Sequence, residues 1–180
     1  VEEDWEKAAQ SMQRYLHVAP EANTSGTHTE EAALESLRKS LVWLRSIVAE
    51  KCQNAIDARD EAGVVRFSRL MTQLGCAGEG AARFAQFMGT KVQQGAEEEV
   101  LRLKQRIEMG IKGNQMLYAA AITSVLELVA GAMAEGEVLV RESFEEEPSL
   151  HLVASLYGKA APSIADMLGM LYQNRKVGGL

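Results

Sequence analysis

Apolar residues recur every three or four positions along most of the chain, which is the spacing of one face of an α-helix. The pattern begins near Glu2, where three acidic residues suit the positive end of a helix dipole, and it continues to His17. A polar loop follows. Thr27 and Glu30 then have the spacing of a capping box, which predicts the start of a second helix. No segment alternates as a β-strand would, so the sequence predicts an all-α fold.

The second predicted helix is long and carries one apolar stripe: Leu34, Leu37, Leu41, Leu44, Val48, Cys52 and Ala55 or Ile56. After Val48, a strict seven-residue repeat would place Lys51 inward, whereas the 3.6-residue period of a straight helix places Cys52 there. The stripe therefore predicts a packed bundle and not a long supercoiled dimer.

Further helices follow with short connections. A break at Asp60–Gly63 precedes a short third helix that ends at Leu74. Glycines between Gly75 and Gly80 predict a turn into a fourth helix, and a weaker stripe from Ala96 to Ile107 predicts a fifth. The whole chain is predicted to contain six or seven helices.

The last two predicted helices are the most apolar. The first, from about Gln115 to Glu142, has two apolar faces, which predicts that it is sandwiched between neighbours. The second runs from about Ser149 to Asn174, and Pro162 predicts a kink or a split within it. Its predicted inward residues are Leu150, Val153, Tyr157, Ile164, Met167, Leu168 and Leu171.

Composition narrows the function classes. The 180 residues are 47% apolar and 6% aromatic and carry a net charge of −6, which excludes a disordered chain and a strongly cationic nucleic-acid binder. The two cysteines form no Cys-x-x-Cys pair, so a reducing compartment is expected. The apolar run Met116–Ala134 has Glu127 at its centre, which favours a buried helix over a transmembrane segment.

The residues that usually carry chemistry are dispersed. The three histidines lie far apart, and the glycines from Gly75 to Gly80 lack the Gly-Lys-Ser/Thr ending of a phosphate-binding loop. The triplets Glu97–Glu99 and Glu145–Glu147 place successive carboxylates on different helix faces, whereas acid–base catalysis needs two that converge. We therefore expect no catalytic, cofactor-binding or metal site.

The order of residues resembles the subunit 4 family of the conserved oligomeric Golgi complex. The similar blocks are Glu2-Glu3-Asp4-Trp5, Ala8-Ala9, Arg14-Tyr15-Leu16, Ile47–Lys51 and, most strongly, Val65–Glu98. The resemblance implies a non-catalytic scaffold of a vesicle-tethering complex in retrograde intra-Golgi transport, with an elongated stack of antiparallel helices. Residues 1–180 would be one helical segment of a longer chain, with sub-bundles at 1–95 and 96–180.

The resemblance also implies partners and a location. The partners would be other subunits of the same lobe, Golgi syntaxins, their Sec1/Munc18-type regulator and Rab GTPases, at the cytosolic face of Golgi membranes. Large aromatic residues anchor many helical interfaces, and Trp5, Tyr15 and Trp43 are the candidate partner contacts. Trp43 is the sharpest candidate because it falls beside the Leu41 and Leu44 face and not on it.

Two other functions remain open at this point. A membrane-binding helical dimer would need a basic stripe along one face, and the scattered bases of this acidic chain oppose that function. A regulatory domain for a small GTPase would need an arginine finger, for which Arg66, Arg69 and Arg83 are candidates.

Overall fold

The computed structural model describes residues 3–18, 28–109, 115–143 and 147–177, which are helical apart from short turns. The helices are α1 (Glu3–Val18), α2 (His28–Asp57), α3 (Glu61–Gln73), α4 (Ala77–Glu108), α5 (Gln115–Ser143) and α6 (Glu147–Val177). The all-α fold class is thereby confirmed. Thr27, the predicted cap of the second helix, lies outside the described residues.

The chain divides into two compact units, residues 1–84 and 85–180, with the division inside α4. The sub-bundles predicted at 1–95 and 96–180 place the division later in the same helix. Each unit is described by itself below.

In the first unit, α2 and α3 run antiparallel. Just past the middle of α3, the Ser68 hydroxyl lies 3.9 Å from the Cys52 thiol. At its end, the Arg45 guanidinium donates to the Leu74 carbonyl at 2.8 Å. The apolar stripes of both helices therefore meet, and α1 adds Ala9 to the same core. The buried core residues are Ala9, Leu41, Leu44, Val48, Cys52, Leu70, Met71 and Leu74. They confirm the predicted stripe of the second helix from Leu41 to Cys52, whereas Leu34 and Leu37 are only half-buried.

Two short turns connect the helices of this unit. The Asp60 carboxylate accepts a hydrogen bond from the Gly63 amide at 3.0 Å and so caps the start of α3. Gly75 ends the next turn in the left-handed region, with φ of 77°, where glycine has no steric cost. Gly78 and Gly80 lie inside α4, so the predicted turn ends earlier than the glycine pattern indicated.

In the second unit, α4 is one continuous helix to Glu108, where the sequence pattern indicated two. It runs antiparallel to α5, because Lys91 pairs with Glu135 while Gly95 lies against Leu128 further along. The Ser155 hydroxyl donates to the Ala85 carbonyl at 3.1 Å and joins α6 to the same helix. Tyr118, Val125 and Leu156 are the centre of the buried core.

The inward face of α6 differs from the predicted one. Its buried residues are Leu152, Leu156, Ala160, Ser163 and Met167. Of the predicted inward residues, Met167 is buried, but Tyr157 and Leu168 are 54% and 50% exposed, so those two assignments are wrong. Small residues at 160 and 163 fit close helix packing better than the bulky residues on the adjoining face.

Pro162 does not split α6, so the predicted split is wrong, while the alternative of a kink stays a prediction. The proline is exposed, and so is Gly158, whose carbonyl loses its helical donor to the proline ring. Water can satisfy an exposed carbonyl, so the helix continues through this position.

Candidate partner-binding surfaces

Trp43 lies on the outer face of α2. Its side chain is 63% exposed and that of the adjacent Val42 is 64% exposed, while Leu41 and Leu44 are buried in the core. The Ser46 hydroxyl donates to the backbone carbonyl of Trp43 at 2.7 Å, a bond within α2 that does not involve the indole ring. Val42 and Trp43 form an exposed apolar pair, which we call the α2 patch.

Charged residues lie on the same outer side of α2. Lys39 and Glu35 approach to 3.8 Å, and both side chains are more than half exposed. Such a pair adds little to stability, because solvent screens it, but it gives the surface around the α2 patch a polar rim. An apolar centre with a charged rim is typical of protein-binding surfaces.

The other two candidate contacts differ from Trp43. Trp5 is partly buried and packs against the core cluster of the first unit. Tyr15 lies within α1, but its side chain is outside the described residues. The α2 patch is therefore the candidate surface with the clearest outward orientation, and its role in binding stays a prediction.

A groove that the sequence did not indicate runs along the outer face of α3. Its volume is about 790 Å³, and Val65 and Leu70 line it together with the basic Arg66 and Arg69. The side-chain oxygen of Gln73, at one end, is buried without a hydrogen-bond partner. Helical spacing is the signal that could have indicated this groove, because residues 62, 66, 69 and 73 recur every three or four positions and share one helix face.

Arg83, another arginine considered for a GTPase regulator, is engaged inside the first unit. Its guanidinium donates to the Glu79 carboxylate at 2.9 Å and to the Gln53 side-chain oxygen at 2.9 Å. The bond to Gln53 connects α4 with α2, and the bond to Glu79 lies within α4. They give Arg83 a structural role, since a finger must be free to reach a nucleotide.

The chemistry-bearing side chains remain dispersed in the structure. Within residues 3–18, 28–109, 115–143 and 147–177, no three His, Cys, Asp or Glu side chains are grouped so that they could hold a metal ion. Burial raises the pKa of the Cys52 thiol, and the hydrogen bond with Ser68 lowers it by a smaller amount. A protonated, buried thiol is a packing residue and not a nucleophile.

One helix of the described residues is long and apolar enough to cross a membrane by length and composition alone. It is the part of α5 from Gln115 to Glu137, and 28% of its most apolar window is buried within the protein. α5 also packs against α4 and α6, as a bundle helix does. Leu126 and Leu128 are 46% and 40% exposed, so the prediction that α5 is sandwiched on both sides is wrong.

Comparison with known proteins identifies relatives of this chain. Residues 66–180 match the family model of the COG4 transport protein, middle alpha-helical bundle. The chain is 27% identical over 178 residues to conserved oligomeric Golgi complex subunit 4 of Drosophila melanogaster. The aligned region covers 94% of this chain and 21% of that protein. It is 25% identical over 154 residues to the Arabidopsis thaliana subunit 4, covering 86% of this chain and 20% of that protein.

The human subunit 4 is 29% identical over 133 residues, which cover 71% of this chain and 17% of that protein. The chain thus spans about a fifth of the length of the curated relatives it matches. No solved structure matches it significantly.

Proposed function

Because the chain belongs to the COG4 transport protein family, we propose that it is a helical section of a non-catalytic scaffold subunit in a vesicle-tethering complex of the Golgi. The match of residues 66–180 to the middle helical bundle of that family is the observation that carries the proposal. The subunit would act in retrograde intra-Golgi transport at the cytosolic face of Golgi membranes. Its partners would be neighbouring subunits of the same lobe, together with syntaxins, a Sec1/Munc18-type protein and Rab GTPases.

The physical character of the chain supports a binding role. A tether must hold partners through surfaces, and helices provide such surfaces at a rise of about 1.5 Å per residue. In this chain α2 exposes two large apolar side chains next to each other, Val42 and Trp43. Apolar anchors of this kind contribute most of the affinity at protein interfaces, while surrounding charges set specificity and encounter.

The exposed area of Trp43 sets the binding free energy that the α2 patch could contribute. A tryptophan side chain buries up to about 250 Å². With 63% of Trp43 exposed, a partner could cover about 150 Å² of it. At about 25 cal/mol per Å², that contact is worth about 4 kcal/mol, an upper value before the entropy cost of association.

The test uses the full-length subunit, purified with its partner subunits from cells that express Trp43→Ala, Trp43→Phe or the unchanged protein. We expect Trp43→Ala to reduce recovery of one neighbouring subunit at least tenfold, and Trp43→Phe to retain most of it because the ring remains. Circular dichroism and thermal melting serve as the folding control, since Trp43 adds little to the core.

Two results would contradict parts of this proposal. If the unchanged subunit were purified without any other subunit of the complex, the proposed scaffold function would be contradicted. A complex that assembles normally with Trp43→Ala would show that the α2 patch is not a contact between subunits.

A further inference from the structure

The outer surface of α5 is unusual for a helix in a water-soluble bundle. Its most apolar window is only 28% buried, although a core helix of that composition would be mostly buried. Leu126 and Leu128 are both at least 40% exposed. Apolar side chains that are exposed on one helix face are typical of a surface that another molecule covers.

A groove of about 380 Å³ lies between α4 and α5 on this side, and we call it the α4–α5 groove. Val92, Leu128 and Ala132 contribute its apolar lining. Gly131 lies at an open position, because a Cβ atom added there would meet nothing within 4 Å. The groove is therefore open above this glycine, and a side chain placed at position 131 would extend toward an occupant of the groove.

Leu128 forms one wall of the groove, and its position depends on a second glycine. A Cβ atom at Gly95 in α4 would lie 2.8 Å from a terminal carbon of Leu128. The leucine thus occupies the space above Gly95 and extends along the edge of the groove. The shape of the groove therefore depends on the packing of Leu128 in α5 against Gly95 in α4.

The charges of the groove point to the chemistry of its occupant. Glu135 pairs with Lys91 at 3.1 Å, and Glu99 pairs with Arg102. Glu127 is exposed, and none of the described residues forms a hydrogen bond or ion pair with it. It is also the only charged residue between positions 115 and 134. One unpaired carboxylate thus lies at the middle of an apolar surface.

We propose that the α4–α5 groove receives a helix of a neighbouring subunit that presents apolar residues and one lysine or arginine facing Glu127. This inference rests on the proposed scaffold function, which supplies the neighbouring subunits. A basic residue would pair with Glu127, which is the one charged side chain of the groove lining without a partner among the described residues.

The same charge argues against two other occupants. Bilayer lipid would have to surround the carboxylate of Glu127 with hydrocarbon, which opposes insertion. A second copy packed symmetrically on this face would bring two Glu127 carboxylates toward each other, and like charges repel. A partner helix of opposite charge has neither penalty.

The experiment places the photo-reactive residue p-benzoylphenylalanine at position 131 of the full-length subunit, assembled with the other subunits. Gly131 suits this substitution because the added side chain points into open space. Gly158 in α6 is the matched control position, since a Cβ there also meets nothing within 4 Å. We expect position 131 to cross-link to a helix of another subunit that contains a lysine or arginine near the cross-link.

The charge is tested in the same assembly. Glu127→Lys is expected to reduce the cross-link from position 131 at least tenfold, and Glu127→Gln to reduce it less. Replacing the identified basic residue of the partner with glutamate should restore the cross-link of the Glu127→Lys subunit. Because Glu127 is exposed and has no described partner, these variants should keep the helical content of the unchanged protein.

The outcomes separate this inference from the proposed function. Cross-links from position 131 to lipid, to a second copy or to the subunit's own chain would overturn the inference while the complex still assembles. A cross-link that Glu127→Lys leaves unchanged would overturn it as well. A subunit that does not assemble with the complex at all would instead overturn the proposed scaffold function.

Discussion

Gly80→Ala should destabilise the first unit, although alanine is the better helix former. Gly80 is in the first turns of α4, where it lies against α3. A Cβ atom at this position would be 2.8 Å from the Ser68 carbonyl oxygen and 3.1 Å from the Met71 Cβ. Both neighbours belong to a packed helix, and the nearer one is backbone, which cannot rotate away as a side chain can. The added methyl group therefore forces α3 and α4 apart locally.

Two opposing effects set the size of this loss. Ordinary contact for a Cβ atom begins at 3.4 Å, so the backbone must move by 3.4 − 2.8 = 0.6 Å. Overpacking of this kind costs about 1–3 kcal/mol. Replacing glycine by alanine in a helix contributes at most about 1 kcal/mol in the other direction. The net loss lies between about 0 and 2 kcal/mol, so the free energy of unfolding should fall by about 1 kcal/mol.

Gly78→Ala is the matched control, because it makes the same chemical change in the same helix at a position with nothing within 4 Å. Urea unfolding followed by circular dichroism at 222 nm, a wavelength suited to an all-α chain, measures both variants. Gly78→Ala should equal or exceed the stability of the unchanged chain. If Gly80→Ala proved as stable as Gly78→Ala, the close approach of α4 to α3 would be refuted as a constraint on this fold.

Two further predictions concern the first unit. Asp60→Ala should lower the free energy of unfolding by about 1 kcal/mol in the same urea assay, because it removes the carboxylate that caps α3 at the Gly63 amide. Asp57→Ala is the control, because the Asp57 carboxylate is exposed. An equal loss in that variant would contradict the capping explanation. Burial raises the pKa of Cys52, so the unfolded chain loses this proton first, and stability should fall as pH rises above the ordinary thiol pKa of about 8.5. Urea midpoints measured across that pH range should fall less steeply for Cys52→Ala, and parallel curves would contradict this source of the pH dependence.

The sequence determined the fold class and the core of the first unit. In α2, charged residues separate the apolar positions, so only one face can be buried, and Leu44, Val48 and Cys52 are buried as predicted. The Golgi family was also recognisable from sequence blocks in register, and the family comparison confirms it. Both results depend on the spacing and order of residues along the chain, and a single sequence contains that information completely.

Ambiguity arose where a helix is apolar on more than one side. In α6, a stripe through Tyr157 and Leu168 and a stripe through Leu156 and Ala160 are one residue apart, and periodicity does not distinguish them. The structure buries the second stripe, because its smaller residues let the helices approach closely. The same ambiguity led to the prediction of a fully sandwiched α5.

The surfaces were decided by tertiary structure alone. Glu127 was visible in the sequence as a lone charge in an apolar run. The groove beside it, and its lack of a partner among the residues that the structure describes, depend on how α4 packs against α5. In the same way, periodicity placed Trp43 beside the apolar face of its helix, but only packing showed that Trp5 is partly buried and that Trp43 stays exposed. Helical periodicity is a property of neighbouring residues, whereas exposure and pairing depend on residues far apart in the chain, which only the folded arrangement brings together.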